Sequence, residues 1–343
     1  MVDYFCFKSK MEATMINNES ESSGVELTDD ELIDMLTNND NTVVETNSDN
    51  QEIEEISDEP ITGGGKSILT FNASVSNKKV ISDLVNVPYQ IMASTRNYLT
   101  TSIISSYPET KNPNLLLHMN YITRVFNNNA IESNSRERAS LKQYAKLAKR
   151  VGTKDILIHM PTNTVEYKNI SQGMRIIGDE LLREGLVCHL EIAPWSQDLI
   201  TFLKVRNNPD VVGYVSEFVD RIIGLFRMFK KDGFRIVFDT AHLFALGCDA
   251  KEQIKLFHKY KEYMKYAHLN GNVNGKLQSD SHTPIMNGNS KIKDWKELST
   301  AIAKMGLICV AEVTKFGKDW KDWERYAKEF GFQLVPFHDQ YSI

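Results

Sequence analysis

Six apolar runs of strand length in this chain each stop at a side chain that can bind a metal ion. Because a parallel barrel gathers the carboxyl ends of its strands on one face, six such segments would bring six ligands to one place. The side chains at the six ends are His118, His159, Glu191, Asp239, His268 and Glu312. This pattern indicates a multinuclear metal enzyme rather than a soluble domain without a metal site.

Three more candidate ligands follow these runs along the chain. His242 comes three residues after Asp239, and Asp280 and His282 lie in the loop after the seventh predicted strand. Nine such groups would be costly to bury without partners, and metal ions are the usual way to neutralise them. Nitrogen and carboxylate donors without thiolates suit Zn²⁺, while Mn²⁺ and Fe stay open. His189, two residues before the ligand of the fifth strand, shares its face and is a candidate for supporting it.

The elements that would position these ligands alternate along the chain from residue 67 onward. Predicted strands lie at 68–73, 88–93, 114–118, 155–159, 187–191, 235–239, 265–269 and 307–312. Predicted helices lie at 76–86, 97–106, 135–151, 168–184, 210–231, 249–264, 293–305 and 320–329. Eight strand–helix units predict an α/β fold of the (β/α)8 TIM barrel type. The rival fold, an open doubly wound sheet, places its site at one switch point and explains six ligand-bearing strands less well.

The first 63 residues differ sharply in charge from the rest of the chain. They hold 17 acidic and 2 basic residues, which leaves 28 acidic and 38 basic residues in the remainder. Such an acidic segment cannot bury enough apolar area to offset its ordering entropy, so 1–66 is predicted to be a disordered tail before a catalytic domain at 67–343. A basic domain beside an acidic tail points to a polyanionic partner, although surplus lysines that only solubilise the domain would give the same balance.

The cysteines and the N-terminal residues bear on the compartment. Four scattered cysteines have no paired spacing, so no disulfide framework is indicated and we expect an intracellular, reducing compartment. The first seven residues lack the cationic start and the apolar length of a signal peptide. No run reaches the roughly 18 apolar residues that a membrane-spanning helix needs, so we expect no membrane partner.

One segment carries a specific resemblance to a known family. Residues 239–247 read DTAHLFALG and closely resemble the D-T-x-H-x-F-A-x-G signature of endonuclease IV-type apurinic/apyrimidinic endonucleases. The resemblance extends over about residues 67–315 and includes all nine candidate ligands in order. It also covers the segments HMNY from His118, HMP from His159, HLN from His268 and DSH from Asp280. This family belongs to the xylose isomerase-like barrel superfamily, and the resemblance implies a (β/α)8 barrel with three metal ions.

The resemblance also implies a role for each candidate residue. One zinc ion would be held by His118, His159 and Glu191, a second by Glu191, Asp239, His268 and Glu312, and a third by His242, Asp280 and His282. Glu191 and Glu312 would in addition orient the nucleophile. Tyr121 matches a tyrosine that enters the DNA at the lesion, and Arg96 falls where an arginine is inserted into the base stack. We expect three Zn²⁺ per chain, with Mn²⁺ an option at one site, and a monomer.

The activity that the resemblance implies is base excision repair of double-stranded DNA. The enzyme would hydrolyse the phosphodiester bond 5′ to an abasic site and leave a 3′-hydroxyl. Three departures from the family concern loops rather than ligands: Gly271 stands where the family usually has Asp, and segments 191–197 and 286–292 differ from the family's loops.

Two rival functions stay open. The first is a metal-dependent sugar isomerase or epimerase of the same superfamily, and the second is a non-catalytic DNA-binding or packaging protein. An isomerase needs only one or two metals, so the third ligand group is the feature that separates it from the endonuclease.

Overall fold

The computed structural model describes residues 65–73, 87–92, 99–119, 125–126, 134–160, 167–193, 210–229, 233–276, 278, 281–312 and 320–335. The predicted helix at 76–86 and all but two residues of the predicted tail lie outside these ranges and stay predictions. The strands are β1 (Ile68–Ala73), β2 (Tyr89–Met92), β3 (Leu115–His118), β4 (Asp155–His159), β5 (Val187–Ile192), β6 (Phe234–Phe238), β7 (Tyr266–His268), β8 (Asn270–Gly271), β9 (Thr283–Pro284), β10 (Ile308–Ala311) and β11 (Gln333–Leu334). Each predicted strand end lies within one residue of its observed position.

Eight of these strands form one parallel sheet in the order β6–β5–β4–β3–β2–β1–β10–β7. The two ends of the sheet meet where Asp239, the residue after β6, forms a parallel bridge with His268 of β7. Two smaller additions flank this barrel, since β11 pairs with β1 and β8 pairs with β9 in an antiparallel hairpin. The predicted α/β TIM barrel is therefore confirmed.

Helices connect and cover the strands. They are α1 (Thr101–Ser105), α2 (Asn134–Val151), α3 (Tyr167–Glu180), α4 (Val211–Phe226), α5 (Thr240–Leu246), α6 (Ala250–Tyr260), α7 (Trp295–Ala303) and α8 (Trp320–Phe330). Two 3₁₀ turns, Leu182–Glu184 and Lys261–Tyr263, follow α3 and α6 where the sequence predicted longer helices. Among the helices described, none combines the length and apolar character that crossing a bilayer requires.

Helix α5 was not predicted, because it is too short for a periodic pattern to reveal it. Its first turn is capped by Asp239, whose carboxylate accepts hydrogen bonds from the backbone N–H groups of Ala241 at 2.6 Å and His242 at 3.4 Å. It ends at Gly247, where φ is 112°, a conformation that favours glycine. All seven residues of α5 are buried, so the candidate ligand His242 is held rigidly just past the end of β6.

Alternation along the strands divides the apolar core into two parts. Leu115 and Leu117 of β3 belong to the large core between the barrel and its helices. Inside the barrel lies a separate inner cluster, which consists of Leu116, Leu157, Val237 and Tyr266 with Ile308 packed against it. Because both faces of the strands are covered, these strands read as nearly continuous apolar runs.

Candidate metal centre

Each of the four buried residues of the inner cluster is followed two positions later by a candidate ligand. Side chains two apart on a strand point to the same side, so these ligands continue the barrel interior toward the carboxyl ends of the strands. The four ligands are His118, His159, Asp239 and His268. The register between β4 and β5 places Glu191 beside His159. Inside the barrel, a layer of candidate ligands thus follows the apolar inner cluster in the direction of the carboxyl ends of the strands.

The first ligand group consists of His118, His159 and Glu191. His118 Nε2 lies 3.1 Å from His159 Nε2, and Glu191 Oε2 lies 2.7 Å from His159 Nε2 and 3.6 Å from His118 Nε2. The Nδ1 of His118 is 2.5 Å from the carbonyl oxygen of Met119. Since a carbonyl only accepts, Nδ1 carries the proton and Nε2 directs its lone pair into the group.

The central group consists of Glu191, Asp239, His268 and Glu312. His268 Nδ1 lies 3.1 Å from Glu191 Oε1, 3.1 Å from Glu312 Oε2 and 3.6 Å from Asp239 Oδ2. Glu191 therefore faces the central group with Oε1 and the first group with Oε2. A carboxylate in this position can link two ions, one on each oxygen.

The third group consists of Asp239, His242 and His282. His282 Nε2 lies 3.3 Å from His242 Nε2 and 3.5 Å from Asp239 Oδ2. The sequence placed Asp280 in this group, and Asp280 lies outside the described residues, so its part stays a prediction. The structure adds Asp239 to the group, because its carboxylate is close to the histidines of the third group as well as to His268.

The donor atoms of these groups suit metal ions. Two nitrogen ligands at about 2.0–2.1 Å from a tetrahedral zinc ion stand roughly 3.3 Å apart, which is close to both Nε2–Nε2 distances. Glu191 Oε2 is buried, and the imidazole nitrogens of His159 and His118 lie 2.7 and 3.6 Å from it. A buried carboxylate that faces several imidazoles is costly unless its charge is compensated, and a cation among these donor atoms would remove that cost. The residues present therefore fit zinc.

The charges in the centre depend on one another. Burial by itself raises the pKa of Glu191, but the neighbouring His159, His268 and His242 hold that pKa well below its usual range. Asp239 behaves in the same way, since burial raises its pKa while His242 and His282 lower it. Both carboxylates thus stay ionised although they are buried, and this is the state in which they bind a cation.

Two buried amides that the sequence analysis missed hold the ligands. Gln90 of β2 lies between His268 and Glu312, with its Oε1 2.9 Å from His268 Nε2 and its Nε2 donating to Glu312 Oε1. Asn270 donates from Nδ2 to Asp239 Oδ2 at 2.7 Å and accepts from the Glu312 backbone N–H at 2.9 Å. The signal was present, since an amide inside an apolar strand and an amide two residues after a ligand both face the barrel interior.

His189 lies below the centre and contacts no ligand that the structure describes. Its Nε2 donates to Asp155 Oδ1 at 2.8 Å. Asp155 Oδ2 also accepts hydrogen bonds from Lys265 at 2.6 Å and from the Tyr266 hydroxyl at 2.9 Å. Burial lowers the pKa of His189 against the opposing effect of Asp155, which keeps the imidazole neutral. This buried network borders the inner cluster at Tyr266 and shares no residue with the ligand groups.

The remaining predicted residues concern the rim of the site. Tyr121 and Arg96, predicted to contact DNA, lie outside the described residues and stay predictions. Gly271 of the β8–β9 hairpin is close to its neighbours, because a Cβ atom there would lie 2.8 Å from Ser290 Oγ and 3.0 Å from the Cα of Ile285. A side chain at this position, where endonuclease IV-type sequences usually have Asp, would therefore require its neighbours to shift.

Comparisons with known proteins agree with the barrel. A family model described as xylose isomerase-like TIM barrel matches residues 99–333. Among solved structures, a D-tagatose 3-epimerase-like protein is 14% identical with a TM-score of 0.54, over 76% of this chain and 97% of that chain. The structure of AsfvAP:AG is 14% identical with a TM-score of 0.52, over 78% of this chain and 98% of that chain.

A third solved structure of similar likeness is the xylose isomerase domain protein from Planctomyces limnophilus. It is 14% identical with a TM-score of 0.50, over 78% of this chain and 97% of that chain. At such identities the likeness shows the fold alone, because one fold carries many activities. Curated protein sequences give no significant match.

Proposed function

The chain belongs to the xylose isomerase-like TIM barrel family, and from that premise we propose that it is a zinc-dependent endonuclease that cuts DNA 5′ to abasic sites. The observation that carries the proposal is the third ligand group, Asp239 with His242 and His282, beside the two other groups. A centre with three groups exceeds what a sugar isomerase of this superfamily needs. It suits phosphodiester hydrolysis, in which charge develops on several oxygens at once.

Glu191 has the central role in this proposal. Its two oxygens face different ligand groups, so this one carboxylate sets the spacing between the two ions that would share it. When bound, zinc ions lower the pKa of water to form a nucleophile near neutral pH and stabilise charge on the phosphate oxygens. Glu191 and Glu312 hold the centre's negative charge at fixed positions, and both can orient the attacking water.

The exposure of the ligands indicates where a phosphate would enter. The side chains of His159 and His282 keep 19% and 20% of their surface exposed, whereas the other six described ligands keep 5% or less. These two histidines belong to the first and third groups. A phosphodiester that reaches the centre would therefore pass over both groups before it meets Glu191 below them.

The DNA substrate is supported by charge and by the predicted loop residues. Residues 64–343 hold 38 basic against 28 acidic residues, a surplus suited to contacts with phosphates. Tyr121 and Arg96 are proposed to fill the space at the lesion. An abasic sugar has no base to unstack, so it can leave the duplex at low cost and reach a recessed centre.

The direct test uses a duplex with one abasic site, an undamaged duplex and a set of aldoses and ketoses. Protein with its metal content measured should cut only the abasic duplex, 5′ to the site, and leave a 3′-hydroxyl that a polymerase extends. Metal analysis should give about three ions per chain. Protein that holds three ions and leaves the abasic duplex intact would refute the proposal.

The sugar isomerase or epimerase remains the alternative, because Glu191, Asp239, His268 and Glu312 alone form a complete four-ligand site. Sugar conversion that survives loss of His242 and His282, without any incision, would favour this alternative.

A further inference from the structure

We infer that Gln90 is a positioning residue that fixes which nitrogen of His268 faces the central ligand group. The inference rests on the metal centre of the proposed function, and it does not depend on DNA being the substrate. Gln90 is fully buried on β2 and touches two ligands at once. It contributes no donor atom to any of the three ligand groups.

The orientation of the Gln90 amide follows from its partners. Gln90 Nε2 is the amide atom that lies against Glu312 Oε1, and a carboxylate that is to bind a cation is ionised and can only accept. The NH₂ group of Gln90 must therefore face Glu312, which leaves the amide oxygen, Oε1, facing His268 at 2.9 Å. An amide oxygen only accepts, so the proton of His268 is on Nε2.

This assignment decides how His268 can bind an ion. Because Nε2 keeps its proton for Gln90 Oε1, an ion can bind His268 only at Nδ1, the atom that lies 3.1 Å from both Glu191 Oε1 and Glu312 Oε2. His118 is held in the opposite way, because its Nδ1 is bonded to a carbonyl and its Nε2 faces the site. The two histidines therefore require different tautomers, and each tautomer is selected by a hydrogen-bond acceptor outside the ligand set.

The position of Gln90 explains why the tautomer of His268 depends on this one side chain. Gln90 pairs in register with Leu116 on β3, so its amide lies at the boundary between the inner apolar cluster and the ligands. No described atom other than Gln90 Oε1 is placed to accept from His268 Nε2. An apolar residue at position 90 would leave that N–H buried without an acceptor, and the ring would gain by turning over.

The test compares Gln90→Met, which removes both hydrogen bonds at nearly constant volume, with Gln253→Met as a matched control. Gln253 is also fully buried, but it lies in α6 and donates to the Cys248 carbonyl, away from the centre. The zinc-loaded proteins are mixed with a chromogenic chelator, and ions per chain and release rates are recorded. Gln90→Met should release one ion 10–100-fold faster than the unaltered protein, and Gln253→Met should release it at the unaltered rate.

A second readout reports the tautomer itself. In protein labelled with ¹⁵N-histidine, His268 should show a protonated Nε2 and an ion-bound Nδ1, with the signal assigned from a His268→Gln variant. Gln90→Met should lose this signal, whereas Gln253→Met should retain it. If Gln90→Met does not fold, the unaltered protein decides: a proton on Nδ1 and an ion on Nε2 of His268 in the zinc-loaded protein would overturn the inference.

Unchanged release and an unchanged His268 signal in Gln90→Met would also overturn it. Failure of the proposed function would be seen in the unaltered protein and not in the Gln90 variant. The unaltered protein would bind no ions, or it would bind them and leave abasic DNA intact. The second of these results leaves the role of Gln90 in place.

Discussion

Asp239 and His268 join the two ends of the barrel sheet through a parallel bridge, and both side chains also belong to the central ligand group. Their donor atoms, Asp239 Oδ2 and His268 Nδ1, are 3.6 Å apart. The seam that closes the barrel is thus at the level of the ligands. An ion bound by both residues would hold β6 and β7 together, so the metal centre and the closed barrel should stabilise each other.

Removal of the metal ions should therefore lower the melting temperature. A ligand at 100 times its Kd stabilises the folded state by about 2.7 kcal/mol, and for a chain of this size that corresponds to roughly 4–5 °C. Calorimetry before and after chelation, with ion content measured on each sample, gives the difference. Added zinc should restore the original Tm. An unchanged Tm in protein shown to be free of metal would contradict the coupling.

Replacement of His282 by alanine tests the third ligand group. His282→Ala should reduce bound metal by about one ion per chain and lower incision of abasic DNA by at least about 100-fold, because fixed charge stabilisation is lost. The control is His258→Ala, since His258 is exposed on α6 and is not one of the candidate ligands. Full metal content with full incision in His282→Ala would exclude the third group from function.

The buried network around Asp155 should make stability depend on pH. Burial alone raises the pKa of Asp155, but the hydrogen bond from His189 and the charge of Lys265 hold it well below its ordinary value. A lowered carboxyl pKa contributes stability that is complete above about pH 5 and is lost progressively as pH falls further. Asp155→Asn should therefore be less stable at pH 7 by about 1–3 kcal/mol, and the difference should shrink at acid pH.

Denaturant unfolding of both proteins at pH 7, 5 and 3.5, after metal removal, isolates this effect from the ligands, which titrate in both. A difference that stays constant across the three pH values would show that the ionised carboxylate of Asp155 is not what stabilises the network.

The acidic tail should weaken DNA binding at low salt. Residues 1–63 hold 17 acidic and 2 basic residues, so they can compete with DNA for a basic surface. Deletion of 1–63 should tighten binding to undamaged duplex, and the gain should shrink as salt rises and screens the competition. Titrations at several salt concentrations measure it. Equal affinity of both proteins at the lowest salt would rule the competition out.

Tyr121 should contribute to lesion choice. Stacking of an aromatic ring on a base contributes about 1–3 kcal/mol, so Tyr121→Ala should reduce the preference for abasic over undamaged duplex by roughly 5–150-fold. Metal content should be unchanged. Loss of bound metal together with activity would show that Tyr121 packs against the centre and does not read DNA.

Most of the fold could be predicted from the local sequence pattern, and the reason is physical. Strands covered on both faces must be apolar throughout, so their bounds could be read from the sequence. Helix α5 could not be predicted in this way, because it has only seven residues and because the residue that caps it, Asp239, is also a candidate ligand. Short elements whose residues serve two purposes carry no periodic signal.

The sequence predicts the candidate ligands one by one, but it does not predict which of them lie between two groups. A residue type at a strand end says that a side chain reaches the interior, and it does not say how deep its carboxylate lies. Asp239 faces both His268 and His282 because the seam places it between the two groups. Gln90 was missed for a related reason: its partners, His268 and Glu312, come from strands far away in sequence and adjacent only in the closed barrel.

The lack of a side chain at Gly271 limits how the sequence at this rim of the barrel can change. Ser290 and Ile285 already occupy the space that a side chain at 271 would need. An aspartate at 271, which endonuclease IV-type sequences usually have, would thus require the path of residues 283–290 to shift, so we expect the two departures that look separate in the sequence to depend on each other. A chimera that takes only residue 271 or only residues 283–290 from a relative should pack poorly at this rim. A chimera that takes both from the same relative should pack well.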